Sequence, residues 1–284
     1  MAYHATQPFV VCDIGGTNTR VGFASTLDTI DSHKTFATPT TFKAGMEKII
    51  KTISAVTTTP RAIVVGVRGI VAENRSGIQT DTILTGWIGQ SITDALQKVF
   101  AVPVYIENDT ALAGLGEAHF GAGQGIDIVA YHTISSGVGG VKIESGKLDM
   151  ASVGFEPGHQ ILDIDRTILG IDITPTLENL VSGTALEERF GMKAPDIPQS
   201  DTVWDELAEY LAQGLHNTIL YWSPDVIVLG GAMIVGDPAI PLDAIRKYTV
   251  ASMKPEMPTP FITKGALGDV AGLYGGLVLA AQNQ

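Results

Sequence analysis

The chain has 284 residues, 45% of them hydrophobic and 17% charged against about 25% in ordinary proteins, which excludes a disordered chain. Its 18 basic and 30 acidic side chains leave a formal net charge of −12, and so anionic a surface excludes nucleic acid as an expected partner. The single cysteine, Cys12, excludes an internal disulfide and points to a reducing compartment.

The first residues, Met-Ala-Tyr-His-Ala-Thr, have no basic region and no long apolar segment, so no secretory leader is expected. Phe9–Ile14 reads as a buried strand, with Cys12 as a small core thiol. Gly15-Gly16 predicts a turn, Thr19–Ser25 a return strand and His33–Ala37 a third strand. Phe42, Met46, Ile49, Ile50 and Ile53 recur at helical spacing within Phe42–Val56. The apolar run Ala62–Val67 predicts a buried parallel strand, and Ile92–Phe100 a helix. Val102–Ile106 predicts a strand that ends at Glu107-Asn108-Asp109, where Asn108 or Asp109 would cap a helix over Thr110–Phe120.

Ile126–Ile134 and Val141–Glu144 predict a second strand pair around Ser135-Ser136-Gly137-Val138-Gly139-Gly140. Helices are expected at Leu177–Val181, Ala185–Phe190 and Val203–Tyr221. Val226–Leu229 predicts a buried strand before Gly230-Gly231, and Val270–Ala281 a last helix. The longest apolar stretch, Ala271–Ala281, falls short of the ~20 residues that span a bilayer, so no membrane partner and a cytoplasmic location are expected. The strand-turn-strand with a glycine turn occurs twice, which suggests two related α/β lobes with a cleft between them. The expected division is 1–113 and 114–284, with the final helix free to pack back on the first lobe.

Four motifs carry chemistry. In Asp13-Ile-Gly-Gly-Thr-Asn-Thr-Arg, glycines admit a phosphate and successive N–H groups form an anion nest. Asp13 could hold Mg²⁺ through water, Thr17 and Thr19 could donate hydroxyls, and Arg20 could cancel charge. A plain hairpin turn is the alternative. The loop at Ser136-Gly137 would be its twin, the pair clamping the phosphates of a nucleotide. Neither loop fits G-x-x-x-x-G-K-[ST], and neither leads from a strand into a helix as a dinucleotide loop does. Asp109 suits the carboxylate that takes a proton from an attacking alcohol, or it serves as a helix cap. Glu156-Pro-Gly-His159 with Glu178 offers donors and acceptors for a polyol; no Cys lies near to make a metal site of His159.

In this order the motifs resemble the ROK family of sugar kinases. The resemblance rests on Asp-x-Gly-Gly-Thr-Asn, Leu84–Trp87, Glu107–Glu117, the second nest, Glu156–His159, Leu177–Gly183, Val228–Ala232 and the closing segment from Gly265, which together cover nearly the whole chain. It implies the actin/hexokinase-like (ribonuclease H-like) ATPase fold and phosphorylation of a hexose or N-acetylhexosamine by ATP with Mg²⁺. Carried onto this sequence, it implies Asp109 as catalytic base and Asn108, Asp109, Glu156, His159 and Glu178 as sugar ligands. Asp13, Gly15, Gly16, Thr17, Asn18, Ser136 and Gly137 would hold phosphates and Mg²⁺, and Gly230 and Gly231 would border the adenosine. A homodimer is one assembly open to it.

Three positions depart from the pattern. The family's cysteine-rich zinc loop is Gly170–Thr176 here, without cysteine, so no structural zinc is expected. Ile83 stands where a sugar-contacting Asn is usual, and Gly66-Val-Arg-Gly69 replaces Gly-x-Pro-Gly. For Arg68 the expectation is solvent or a salt bridge. The alternative to a kinase is a catalytically weak sugar- or nucleotide-binding regulator of the same fold; with the first strand read near Phe9, no preceding DNA-binding domain is expected.

Overall fold

The computed structural model describes residues 7–151 and 154–284; the residues on which the leader was judged, Met1–Thr6, lie outside them. The chain divides into two compact units. The first ends at His119 and takes back Asp269–Gln284; the second is Phe120–Gly268. A break at 113/114 would cut a helix in its middle, and the division instead follows that helix.

In the first unit, β1 (Phe9–Ile14), β2 (Asn18–Ala24), β3 (Ser32–Ala37), β4 (Ala62–Val67) and β7 (Val104–Asn108) form one sheet in the order β3-β2-β1-β4-β7. A small separate hairpin, β5 (Ile70–Val71) and β6 (Ile78–Thr80), follows β4. The hairpin strands β1, β2 and β3 run antiparallel, whereas β1, β4 and β7 run parallel. Side chains alternate between the two faces. Val10, Cys12 and Ile14 face a core with Met46, Ile49 and Ile53 of α1 (Phe42–Ser54), Leu96 of α2 (Ile92–Phe100) and Trp87. Phe9 and Val11 face the other core, with Leu112 of α3 (Asp109–Phe120) and Leu273 and Leu277 of the last helix. Burying each such leucine contributes roughly 1.5–3 kcal/mol. Burial pushes the Cys12 thiol up to about 12, with the charge of Asp13 adding to it, so it is an inert core residue.

The second unit repeats the strand order. β8 (Ile128–Ile134), β9 (Val138–Glu144), β10 (Lys147–Leu148), β11 (Val226–Gly230) and β12 (Phe261–Lys264) lie as β10-β9-β8-β11-β12, again an antiparallel hairpin beside parallel strands. Its core gathers Leu177 and Leu180 of α4 (Leu177–Val181), Leu186 of α5 (Gly183–Phe190), Trp204 through Ile219 of α6 (Val203–Trp222), Met233 of α7 (Ala232–Val235) and Ile245 of α8 (Leu242–Ser252). The chain closes with α9 (Ala271–Gln282) in the first unit. Among the described residues no helix is long and apolar enough to cross a membrane.

Several expected boundaries shift by a few residues, and two of the shifts bear on the site. β7 runs to Asn108, so the helix starts at Asp109. Val138, Gly139 and Gly140 belong to β9, paired with Ile134, Thr133 and His132, so the second glycine loop is only Ser135–Gly137.

Candidate active site

Register assembles the first part of the site. Asp13 pairs with Arg20 on β2 and with Gly66 on β4, and Gly66 pairs with Glu107 on β7. One row further, Ile14, Val67 and Asn108 stand side by side. The carboxyl ends of the three parallel strands thus bring Asp13, Asn108 and Asp109 to one edge, the end of an α/β sheet that characteristically binds ligands. Gly66 lies between the two acids: a Cβ there would be in ordinary contact with Asp109 Cα at 3.6 Å and Asp13 Oδ1 at 3.8 Å, and its tight neighbour would be Leu112 Cδ1 at 3.0 Å.

The first glycine turn is braced from within. The Gly15 N–H donates to the Asn18 carbonyl at 3.0 Å, and the Thr38 hydroxyl donates to the Gly15 carbonyl at 2.8 Å. Gly15 is therefore not part of a free nest. The N–H groups of Gly16 and Thr17 have no protein acceptor among the described residues, and Thr17 and Asn18 are exposed. Thr19, by contrast, is buried with its hydroxyl against that of Thr38 at 2.9 Å and offers nothing to a ligand.

Asn108 caps α3: its Oδ1 accepts the Ala111 N–H at 3.0 Å while Nδ2 donates to the Gly69 carbonyl at 3.0 Å. That leaves one amide hydrogen free. Asp109 accepts the Thr110 N–H at Oδ1 (2.7 Å), and Oδ2 has no protein donor among the described residues. Burial raises the Asp109 pKa, against the lowering by the Thr110 amide and the charge of Arg68. Asp13 is pushed up to about 7, by burial first and then by the charge of Asp109; Arg20, at 3.7 Å, pulls it back and is itself held by Asp269 at 2.9 Å. Two acids that resist ionisation together form a place where a hard cation is favoured, and Asp13 fits Mg²⁺ held through water. Among the described residues no three His, Cys, Asp or Glu side chains converge to hold a metal directly.

In the second unit, the loop Ser135–Gly137 is closed by the Ser135 N–H on the Gly137 carbonyl at 2.8 Å. The N–H groups of Ser136 and Gly137 have no protein acceptor among the described residues. Glu178 sits at this loop: its Oε2 accepts the Val138 N–H at 2.7 Å, and a Cβ on Gly137 would lie 2.6 Å from the same oxygen. One oxygen of this expected sugar ligand is thus committed to holding the loop. Glu156 precedes a short 3-10 turn, Pro157–His159, and His159 ends it; the two side chains are exposed and 3.9 Å apart. Gly231 has φ +86 and abuts the Ile134 carbonyl, and Gly230 is buried against the Tyr131 hydroxyl. Their glycine character follows from packing on β8. The motifs overlooked Thr38, Asp81 and Asp269; Asp269 lies inside the closing segment, but nothing in a lone Gly-Asp-Val reveals a partner 249 positions away.

The ROK family model matches residues 9–283. The chain belongs to the ROK family. A fructokinase from Lactococcus lactis subsp. cremoris is 32% identical to this ROK-family chain over 164 residues, which is 56% of this chain and 55% of the relative's length. A fructokinase from Pediococcus pentosaceus is 30% identical over 77% of this chain and 80% of its own. Among solved structures, a ROK family glucokinase from Streptomyces griseus in complex with glucose and AMPPNP superposes with a TM-score of 0.81. The two are 27% identical, over 97% of this chain and 99% of that one. The actin/hexokinase-like α/β fold is the fold of this chain.

Proposed function

We propose that this sugar kinase of the ROK family transfers the γ-phosphoryl group of ATP to the 6-hydroxyl of a hexose, glucose or a close relative, with Asp109 as general base. The observation that carries the reading is Asp109 itself. It is a half-buried carboxylate directly after β7, made more basic by desolvation, with one oxygen tied to Thr110 and the other open. The fructokinase and glucokinase names of the relatives, and the glucose and AMPPNP of the S. griseus complex, support the substrates.

In this reading Oδ2 of Asp109 orients the sugar hydroxyl and takes its proton as the oxygen attacks the γ-phosphorus; the bond to the β-phosphate oxygen breaks and ADP leaves. The free amides of Gly16 and Thr17, and those of Ser136 and Gly137, hold phosphate oxygens. Asn108, Glu156, His159 and Glu178 hold sugar hydroxyls, Asn108 through its remaining amide hydrogen. Asp13 would hold Mg²⁺ through water, and the ion would supply charge neutralisation when bound. The test is ADP release across a panel of hexoses and N-acetylhexosamines. Turnover with at least one sugar is expected; a sugar that raises the melting temperature without turnover from any sugar would instead make the chain a binding protein.

A further inference from the structure

Arg68 has no part in the reading above. It directly follows β4, next to Val67, which pairs with Asn108. Its Nε donates to Oδ1 of Asp81 at 2.9 Å. The Asp81 side chain is 2% exposed and its Oδ2 accepts the Leu84 N–H at 2.7 Å. Both oxygens of this carboxylate are fixed, and the carboxylate in turn fixes the guanidinium. With Nε tied, four N–H donors of the fork remain.

The fork lies against the first glycine turn. A Cβ on Gly16 would stand 2.6 Å from Arg68 Nη1 and 3.3 Å from Ile83 Cγ2. The guanidinium, held by Asp81, occupies the space over Gly16 and sits beside an amide with no protein acceptor among the described residues. The same cation acts on Asp109. An ion pair that served stability alone would gain little from burying its carboxylate, because desolvation offsets the attraction. Anchoring a cation between a free amide and a general base has a clear use in phosphoryl transfer, where negative charge spreads over the oxygens of the moving group.

We propose that Arg68 is a catalytic residue that donates to the γ-phosphoryl oxygens of ATP at the Gly16 turn, with Asp81 as its positioning residue. The inference rests on the kinase reading. The two departures from the family pattern, Arg68 and Ile83, then meet at one point: the apolar Ile83 packs beside the turn and leaves the guanidinium as its polar group.

The test compares wild type with Arg68→Met, Arg68→Lys and Asp81→Asn. It measures the Kd of ADP and of AMPPNP with Mg²⁺ by calorimetry, kcat, and the KM for ATP and for the sugar separately. Arg68→Met should bind ADP as the wild type does, lose the preference for AMPPNP over ADP, and lose kcat on the order of 10²-fold. Arg68→Lys, which keeps a cation but not the fork, should lose less, and it decides the matter if the Met variant does not fold. Asp81→Asn should follow Arg68→Met in kcat while leaving the sugar KM in place. Unchanged nucleotide preference and kcat in both Arg68 variants would overturn the proposal, as would an effect confined to the sugar KM. Failure of wild type to bind either nucleotide would defeat the kinase reading itself, and this inference with it.

Discussion

The charge of Asp109 adds to the cost of ionising Asp13, and two predictions follow at this scale. Asp109→Asn keeps the size and the Thr110 contact but cannot take a proton; kcat should fall at least ~10²-fold with the melting temperature nearly unchanged. Coupled-assay kinetics beside a thermal melt check it, and wild-type-like turnover would remove Asp109 from the role. Asp13 ionises near 3.8 in an unfolded chain and near 7 in the fold. The fold therefore binds the extra proton between those values, and stability from this group is full below about pH 4 and lost as pH rises to 7. Asp13→Asn should accordingly stabilise the ligand-free protein by about 1–2 kcal/mol at pH 8 and by less at pH 5, while activity collapses. Denaturant melts at the two pH values read this directly; equal gains at both would contradict it. Much of the site was legible because Asp13, Gly16 and Asp109 sit in short, chemically dense motifs. Asp81 was not, because its meaning lies in a contact with Arg68 across 13 positions. The commitment of Gly15 and Glu178 to their own turns was equally hidden, since both bonds depend on loop geometry.

At the scale of elements, helix α9 explains itself through its glycines. Gly272, Gly275 and Gly276 would each cost helix stability of about 1 kcal/mol relative to alanine if they merely filled space. Instead a Cβ at Gly275 would fall on the Leu112 carbonyl of α3, and one at Gly276 on Val11 of β1. Gly275→Ala should therefore destabilise the first unit, by roughly 1–3 kcal/mol, despite its better helix propensity. A chemical-denaturation midpoint above that of wild type would show that the two helices can separate without cost. The strongly periodic elements, such as α1, α2 and β4, were readable from apolar spacing alone. α8 was not: only Ile245 and Thr249 of its 11 residues are buried, so its stripe is weak. β12 is a four-residue edge strand with one buried side chain, Ile262, and β10 has two residues; neither carries enough pattern to be seen. The second glycine loop was read too long because Gly139 and Gly140 look like turn residues but pair in β9; a Cβ on Gly140 would lie 2.6 Å from Pro157 Cγ.

At the scale of the whole molecule, Asp13 of one unit and the buried His132 of the other have pKa shifts of opposite consequence for stability in acid. His132 of the second unit is fully buried, stacked on Trp222 and bonded to Thr218, and burial lowers its pKa to about 4. Its unfolded form takes a proton below 6.5, so this contribution is full above pH 6.5 and is lost as pH falls towards 4. Hydrogen exchange between pH 7 and 5, corrected for intrinsic rates, should show β8 losing protection on acidification while β1, which carries Asp13, gains. His132→Phe, which retains a ring to stack on Trp222, should abolish the loss in β8; a loss that persists would place its cause elsewhere. The claim on which the rest depends is that phosphate leaves ATP for a primary sugar hydroxyl. Phosphorus NMR of the reaction with the best sugar of the panel tests it most directly. The account predicts one ADP per sugar phosphate, with the phosphorus coupled to the two protons at carbon 6. Free phosphate alone, or phosphate on the anomeric oxygen, would contradict it.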